Sequence, residues 1–370
     1  MSSKKNNINT KNKYFMNLAL KQAARSLGNT GTNPPVGSVI TDKKGNLISF
    51  GRTGSKGKPH AEFNAIKNSQ KKLTNCNMFV TLEPCTHYAQ TPPCTNLIIK
   101  NKIKKVYYSI DDVDIRTAKK GKKTLANARV IVNAGINKKI IKKFYYFYYK
   151  NKIKKLPFVT CKLAISKDGF IKNIKNKNIS NESSRKVSHI LRSQNNAILI
   201  SSNTLIDDNP LLTCRVNGLK KNSPTRIILD KNLDIPLNSK IVQTSNACKT
   251  LIFYNKKKTK KLKILRNKGI KLYFTYLDNK NNFELNKIFK KIYQLKYPRL
   301  LVEGGKKLTN SIISKSLADE FYLFKSDNKL KNNGKINVNN ILKKINTFSK
   351  SKRSILVNLD KEKLFNYNFY

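Results

Sequence analysis

Short apolar strands and helical segments alternate along this chain twice over, and the alternation breaks once, between Asn137 and Pro157. Strands joined to helices by short connections bury both faces of a sheet only in a layered α/β domain, so the pattern predicts two such domains. In the first run, Phe15, Leu18, Ala19, Gln22 and Ala23 recur at helical spacing over 14–27, and Gly28 provides a stop. An Asn33-Pro34-Pro35 turn leads to strands at Val36–Ile40 and Leu47–Phe50. A helix opens at His60, a strand follows at Met78–Leu82, and Pro92-Pro93 opens a helix at Cys94–Ile99. Further strands are expected at Val106–Ile110 and Val130–Val132. The interruption, KKIIKKFYYFYYKNKIKKLP, reads as an amphipathic helix covering the first domain and leading into a linker. Its interleaved Lys and Tyr also suit a nucleic-acid surface. The boundary is expected near residue 152, giving domains 1–152 and 153–370. In the second run, strands are expected at Phe158–Ala164, Ala197–Ser201, Arg226–Leu229, Thr250–Tyr254, Ile270–Phe274, Arg299–Val302 and Phe321–Phe324. One helix is expected at Ser183–Gln194 and another after Gly304-Gly305, while Lys256–Lys263 reads as a solvated loop.

Charge is the most conspicuous bulk property: 76 Lys+Arg against 20 Asp+Glu give +56. A polyanion-binding role would explain it. So would compositional drift, because Lys, Asn and Ile, whose codons are A/T-rich, are all abundant and the basic residues run the whole length. None of the metal ligands, the Glu or the substrate and cofactor anchors named in this section belongs to a Lys run, which favours drift. The charge then predicts salt-sensitive solubility and non-specific RNA sticking. At 39% apolar residues the chain has enough material for buried cores, which excludes a disordered basic tail. No stretch approaches the roughly 18 apolar residues of a membrane span, and no apolar region follows the basic start MSSKKNNINTKNK. Six Cys are too sparse for a disulfide scaffold, so a reduced, cytoplasmic setting is expected.

Only three histidines occur, and one of them stands in His60-Ala61-Glu62 at a helix start. Pro84-Cys85 and Pro93-Cys94 follow on the next elements. This is the make-up of the zinc deaminase signature, H-x-E then P-C and a second Cys. One imidazole and two thiolates hold Zn²⁺ and leave a fourth position for water. Glu62 can sit over that water without being a ligand and move its proton. Cys76, Cys161, Cys214 and Cys248 have no such company and are expected to be small apolar residues.

The spacing of the two cysteines narrows the reading. Cytidine and tRNA-adenosine deaminases usually have P-C-x-x-C, whereas eight residues, THYAQTPP, separate Cys85 from Cys94. VTLEPCTHYAQTPPCTNLII, with NPPVGSVI and PHAEFNAI upstream, resembles the deaminase half of the bifunctional riboflavin-biosynthesis deaminase/reductases. The resemblance implies a cytidine-deaminase-like three-layer α/β/α domain, with His60, Cys85 and Cys94 as zinc ligands and Glu62 as the proton shuttle. Asn33 would position the pyrimidine. Two departures stand out: Ala89 where the family usually has Gly, and Asp112–Gly121 where it has a DPNPxVxGxG-like segment of which only Asp112 and Gly121 survive.

Residues 157–370 resemble the reductase half of the same family, which has a dihydrofolate-reductase-like α/β fold. The matching pieces are KLAISKDG from Lys162, Ile179-Ser180, DDNPLLTCR from Asp207, and Leu301-Val302-Glu303-Gly304-Gly305. The last is a strand ending in a glycine pair ahead of a helix, a turn that lets backbone N–H groups approach a phosphate. The resemblance implies NADPH contacts at Ala164, Thr204, Asp208 and Gly305, and substrate contacts at Arg192, Leu212, Arg215 and Glu303. Two arginines suit a phosphate monoester. This half departs at Asn178, where the family has Trp, and at Lys325–Asn328.

The resemblance therefore implies zinc-dependent deamination of a diaminopyrimidinone ribosylamino 5′-phosphate, then NADPH-dependent reduction of its ribosyl group. The expected partner is that small phosphorylated pyrimidine, with no specific nucleic acid and no membrane; a homo-oligomer is compatible with the sequence. Three alternatives stay open at this point. They are a tRNA deaminase, a structural zinc site closed by His87 as fourth ligand, and an active deaminase with a decayed reductase.

Overall fold

The computed structural model describes residues 2–88, 92–175, 179–256 and 258–370, so Ala89 and Asn178 lie outside the described residues. The chain divides into two units, Met1–Lys155 and Leu156–Tyr370.

In the first unit a five-stranded sheet runs in the order Leu47–Arg52, Gly37–Thr41, Asn77–Leu82, Lys105–Ile110, Ile131–Ala134. Gly37–Thr41 is antiparallel to both of its neighbours, and the remaining two pairings are parallel. Alternate residues face opposite sides. On one side Phe79 stacks on Tyr107 at 4.7 Å and meets Phe15 of the helix Ser2–Ala24 at 5.3 Å. On the other, Ile40, Met78, Val80 and Val106 pack against Ala65, Ile98 and Leu125. Those three belong to the helices Ala61–Lys67, Cys94–Lys100 and Lys120–Asn127, so the unit has three layers.

Gly51 is what lets the helix Ala61–Lys67 sit so low on this sheet. A Cβ there would lie 2.3 Å from both the Ala61 carbonyl oxygen and the Ala65 nitrogen. Gly51→Ala is therefore expected to push this helix, and His60 with it, off the sheet. Thermal melting should report a loss of roughly 1–3 kcal/mol; an unchanged melt would mean the contact is slack.

The basic aromatic stretch forms two helices, Lys138–Phe144 and Tyr146–Lys154, rather than the single one expected. Tyr145 between them is fully buried, its hydroxyl donating to the Pro35 carbonyl at 2.8 Å and pairing with the Thr81 hydroxyl at 2.7 Å. Phe147 and Tyr148 are buried too. These three rings form core, while Phe144, Tyr146 and Tyr149 of the same stretch are half-buried.

The second unit is built on a nine-stranded sheet. Its order is Lys271–Phe274, Thr250–Tyr254, Thr225–Leu229, Ala197–Ser201, Arg299–Val302, Phe158–Ile165, Glu320–Lys325, Lys363–Asn368, Ser351–Ile355. The first seven strands are parallel and the last two pair antiparallel. A parallel sheet is covered on both faces, and here Ala197, Leu199, Leu251 and Phe253 enter one core while Ile198, Ile200 and Ile252 enter the other. The helices Leu285–Gln294, Lys306–Ser314 and Asn339–Phe348 cover the first face, and Glu182–Ser193 and Thr259–Asn267 the second. The last of these corrects the expected solvated loop over Lys256–Lys263 from Thr259 onward, Lys257 lying outside the described residues: Leu262 and Leu265, three apart, bury one face of a helix on which Lys260 and Lys263 are exposed.

Candidate functional site

In the first unit three elements converge. His60 is the extended residue (φ −69°, ψ 160°) that caps the helix Ala61–Lys67. Cys85 follows the strand Asn77–Leu82, and Cys94 is the first residue of its helix. His60 Nδ1 lies 3.3 Å from Cys94 Sγ and 3.5 Å from Cys85 Sγ, and the Cys94 backbone N–H donates to Cys85 Sγ at 3.3 Å. One imidazole nitrogen and two sulfurs within 4.8 Å of one another form a soft donor set that suits zinc. Hydrogen bonding from the Cys94 thiol is the largest cause holding Cys85 towards the thiolate, against the cost of burial. His87 stands apart, its Nδ1 paired with the Thr117 hydroxyl at 3.1 Å, so among the described residues the donor cluster has three members, not four.

Glu62, in the first turn after His60, is 4% exposed. Burial is the largest influence on its carboxyl and pushes it up to about 7, with the neighbouring His60 pulling the other way. A carboxyl poised there can both take and give a proton near neutral pH. Glu62, His60, Cys85 and Asn33 line one cleft. Asn33 is held in it by a 3.1 Å bond from its amide to the Lys56 carbonyl.

The second unit brings several of the expected residues together as well. Arg192, on the helix Glu182–Ser193, and Glu303, at the end of the strand Arg299–Val302, form a two-pronged pair at 2.8 and 2.8 Å. Burial alone would raise the Glu303 carboxyl; Arg192 outweighs it and holds the group down to about 2. The paired Nε and Nη2 edge of Arg192 is thus committed to a carboxylate, and its Nη1 donates to the Thr213 carbonyl at 3.1 Å. Arg215 is exposed, whereas Leu212, three residues before it, is 2% exposed and packs in the core. Gly305 caps the helix Lys306–Ser314, and a Cβ added to it would meet only the Thr204 hydroxyl, at 3.7 Å. That open space over a helix N-terminus, faced by Thr204, fits the phosphate of a dinucleotide. Ala164 pairs in register with Phe324 on the neighbouring strand, and Asp208 ends the helix Ser202–Asp208 with Lys172 3.9 Å away.

Two residues here carried no expected role. His189 lies one helical turn before Arg192, and this i,i+3 spacing was a readable signal. Its Nδ1 donates to the Thr213 carbonyl at 3.0 Å. Burial, reinforced by Arg192 and Arg215, lowers its pKa from 6.5 to about 4. The folded state then binds fewer protons than the unfolded chain between those values, so stability is full above 6.5 and falls as pH drops through about 4. His189→Gln should flatten the dependence of melting temperature on pH across that interval; an unchanged slope would assign it to another group. Lys162, beside Glu303 and Arg192, is lowered chiefly by burial. Its only signal was membership of the KLAISKDG segment.

Residues 157–326 match the family described as the RibD C-terminal domain, and residues 9–110 that described as the cytidine and deoxycytidylate deaminase zinc-binding region. The riboflavin biosynthesis protein RibD of Aquifex aeolicus is 35% identical over 314 residues, 84% of this chain and 86% of that protein. Its counterpart in Bacillus amyloliquefaciens is 32% identical, with coverage of 84% and 83%. Among solved structures, the diaminohydroxyphosphoribosylaminopyrimidine deaminase/5-amino-6-(5-phosphoribosylamino)uracil reductase of Thermotoga maritima superposes with a TM-score of 0.79 at 25% identity. The superposition covers 97% of this chain and 99% of that one. The two units thus have the cytidine-deaminase-like and dihydrofolate-reductase-like folds.

Proposed function

The chain belongs to the RibD family of riboflavin-biosynthesis proteins, and on that premise we propose how its residues divide the chemistry between the two units. It is a bifunctional enzyme of riboflavin biosynthesis, a zinc-dependent deaminase joined to an NADPH-dependent reductase. The first unit hydrolyses the amino group of 2,5-diamino-6-ribosylamino-4(3H)-pyrimidinone 5′-phosphate and releases ammonia. The second reduces the ribosyl group of the product to a ribityl chain.

The observation that most supports the residue assignment is a buried Glu62 beside three convergent metal donors. His60, Cys85 and Cys94 would hold zinc, which when bound supplies the Lewis acidity that makes water nucleophilic near neutral pH. Glu62 takes one proton of the attacking water and passes it to the ring nitrogen, then takes the remaining proton of the added hydroxyl and gives it to the departing amine as the carbonyl forms. Asn33 orients the pyrimidine. In the second unit Thr204 and Gly305, with Ala164 and Asp208, would hold NADPH, which supplies the hydride. Arg192, Arg215, Glu303 and the Leu212 main chain would hold the phosphoribosyl substrate, Glu303 oriented by Arg192.

No helix among the described residues is long and apolar enough to cross a membrane. Separately, from its kinship with the RibD enzymes, we propose a cytoplasmic enzyme acting on a small pyrimidine phosphate, without specific nucleic acid; self-association is compatible with it. Chelator treatment is expected to stop ammonia release and stoichiometric zinc to restore it. Full release from zinc-free protein would overturn the assignment.

A further inference from the structure

The segment Asp112–Gly121 is where the deaminase half departs most from its family pattern, yet it is fastened to the metal loop through its backbone. Glu83, two residues before Cys85, accepts the N–H groups of Lys119 at 2.9 Å and Asp112 at 3.3 Å on one carboxylate oxygen, and of Gly121 at 2.9 Å on the other. Gly121 has to be glycine, since a Cβ would lie 2.4 Å from the Pro84 carbonyl oxygen. From the other side Tyr148 donates to Asp112 at 2.9 Å, and Asp112 accepts the Asp114 N–H at 3.0 Å. The side chains of the segment are thereby set at a fixed place relative to Cys85.

Two of the surrounding side chains are cations that line the same cleft as His60, Glu62 and Cys85. Asp114 splints both. It receives Nε and Nη2 of Arg116 at 2.9 and 2.7 Å and the ammonium of Lys152 at 3.1 Å. Lys152 comes from the helix Tyr146–Lys154, so the pair is assembled from two separate elements. Asp114 occupies one edge of the guanidinium and one N–H of the ammonium, which leaves donors on each directed elsewhere. Arg116 and Lys152 are the Arg and Lys side chains of this lining, on the unit whose substrate ends in a phosphate dianion.

We infer that Arg116 and Lys152, splinted by Asp114, form the clamp that recognises the 5′-phosphate of the deaminase substrate. The inference rests on the deaminase reading above. Asp114 keeps the two long side chains in one arrangement before the ligand arrives, so less conformational freedom is lost on binding.

The test compares the full-length zinc-loaded protein on the ribosylaminopyrimidinone 5′-phosphate and on its dephosphorylated form. Wild-type protein should prefer the phosphorylated substrate in kcat/KM. Arg116→Gln and Lys152→Met should each lower that preference by roughly 10- to 100-fold, the size of a lost charge-assisted contact. The loss should appear in KM rather than kcat, with zinc content unchanged. Arg116→Lys, which keeps the charge, should retain part of the preference. An unchanged preference in both single variants overturns the clamp, as does a loss of equal size on the two substrates. A wild-type protein that deaminates both forms equally well also overturns it while leaving the deaminase reading intact. A wild-type protein that releases ammonia from neither form overturns that reading instead.

Discussion

Glu62→Gln protein is expected to keep its zinc and lose ammonia release by roughly 10²–10⁴-fold, the range of a positioned general acid–base group. Glutamine preserves the size of the side chain but cannot carry a proton between water, ring and amine. The carboxyl is buried beside the three metal donors, where it is placed to take and to give that proton. Metal analysis alongside an ammonia assay separates this effect from loss of the site. NADPH oxidation with the already deaminated substrate should be unaffected, because Glu62 belongs to the first unit. A variant that still released ammonia at the wild-type rate would remove Glu62 from the mechanism.

The second large effect is expected at the Arg192–Glu303 pair. The two side chains are 13% and 14% exposed. Arg192→Met leaves a buried carboxylate without its partner and should cost roughly 3–5 kcal/mol. Removing both charges together, as Arg192→Met with Glu303→Leu, should recover much of that stability, since a buried pair is worth little more than a well-packed apolar one. Reductase activity should not return with it, because the substrate contact proposed for Glu303 is then lost. Urea unfolding combined with an NADPH oxidation assay reads both quantities. A double variant as unstable as the single one would mean that packing, not the uncompensated charge, sets the cost.

The metal half of the site was readable because its chemistry is written in side chains that few residues can replace. Three histidines in the chain and a fixed order of His, Glu and two Pro-Cys units left little freedom. The strands were readable for a similar reason: residues 197–200 and 251–254, buried on both faces, are unbroken apolar runs. The divergent segments were harder, because what holds them is side chain to backbone. Glu83 accepts three backbone N–H groups of Asp112–Gly121, and Asp168 accepts those of Leu330 and Lys331, at 3.1 and 2.8 Å, just beyond the altered Lys325–Asn328 stretch. Backbone donors are present whatever the side chain, so motif letters change while the geometry persists. Lys119 illustrates it, holding a left-handed φ of 60° in a segment where the family pattern is rich in glycine. The helix Thr259–Asn267 was hidden differently: six lysines around Leu262 and Leu265 masked a two-residue apolar face.

The central claim is that one chain carries out a zinc-dependent deamination and then an NADPH-dependent reduction. The most direct test follows ammonia and NADPH together, starting from the diaminopyrimidinone phosphate, with native and chelator-treated protein side by side. Native protein should release ammonia and oxidise NADPH in equal amounts. Chelated protein should do neither from that substrate, yet oxidise NADPH when given the deaminated product. NADPH oxidation without prior ammonia release, or none with the deaminated product, would contradict the account.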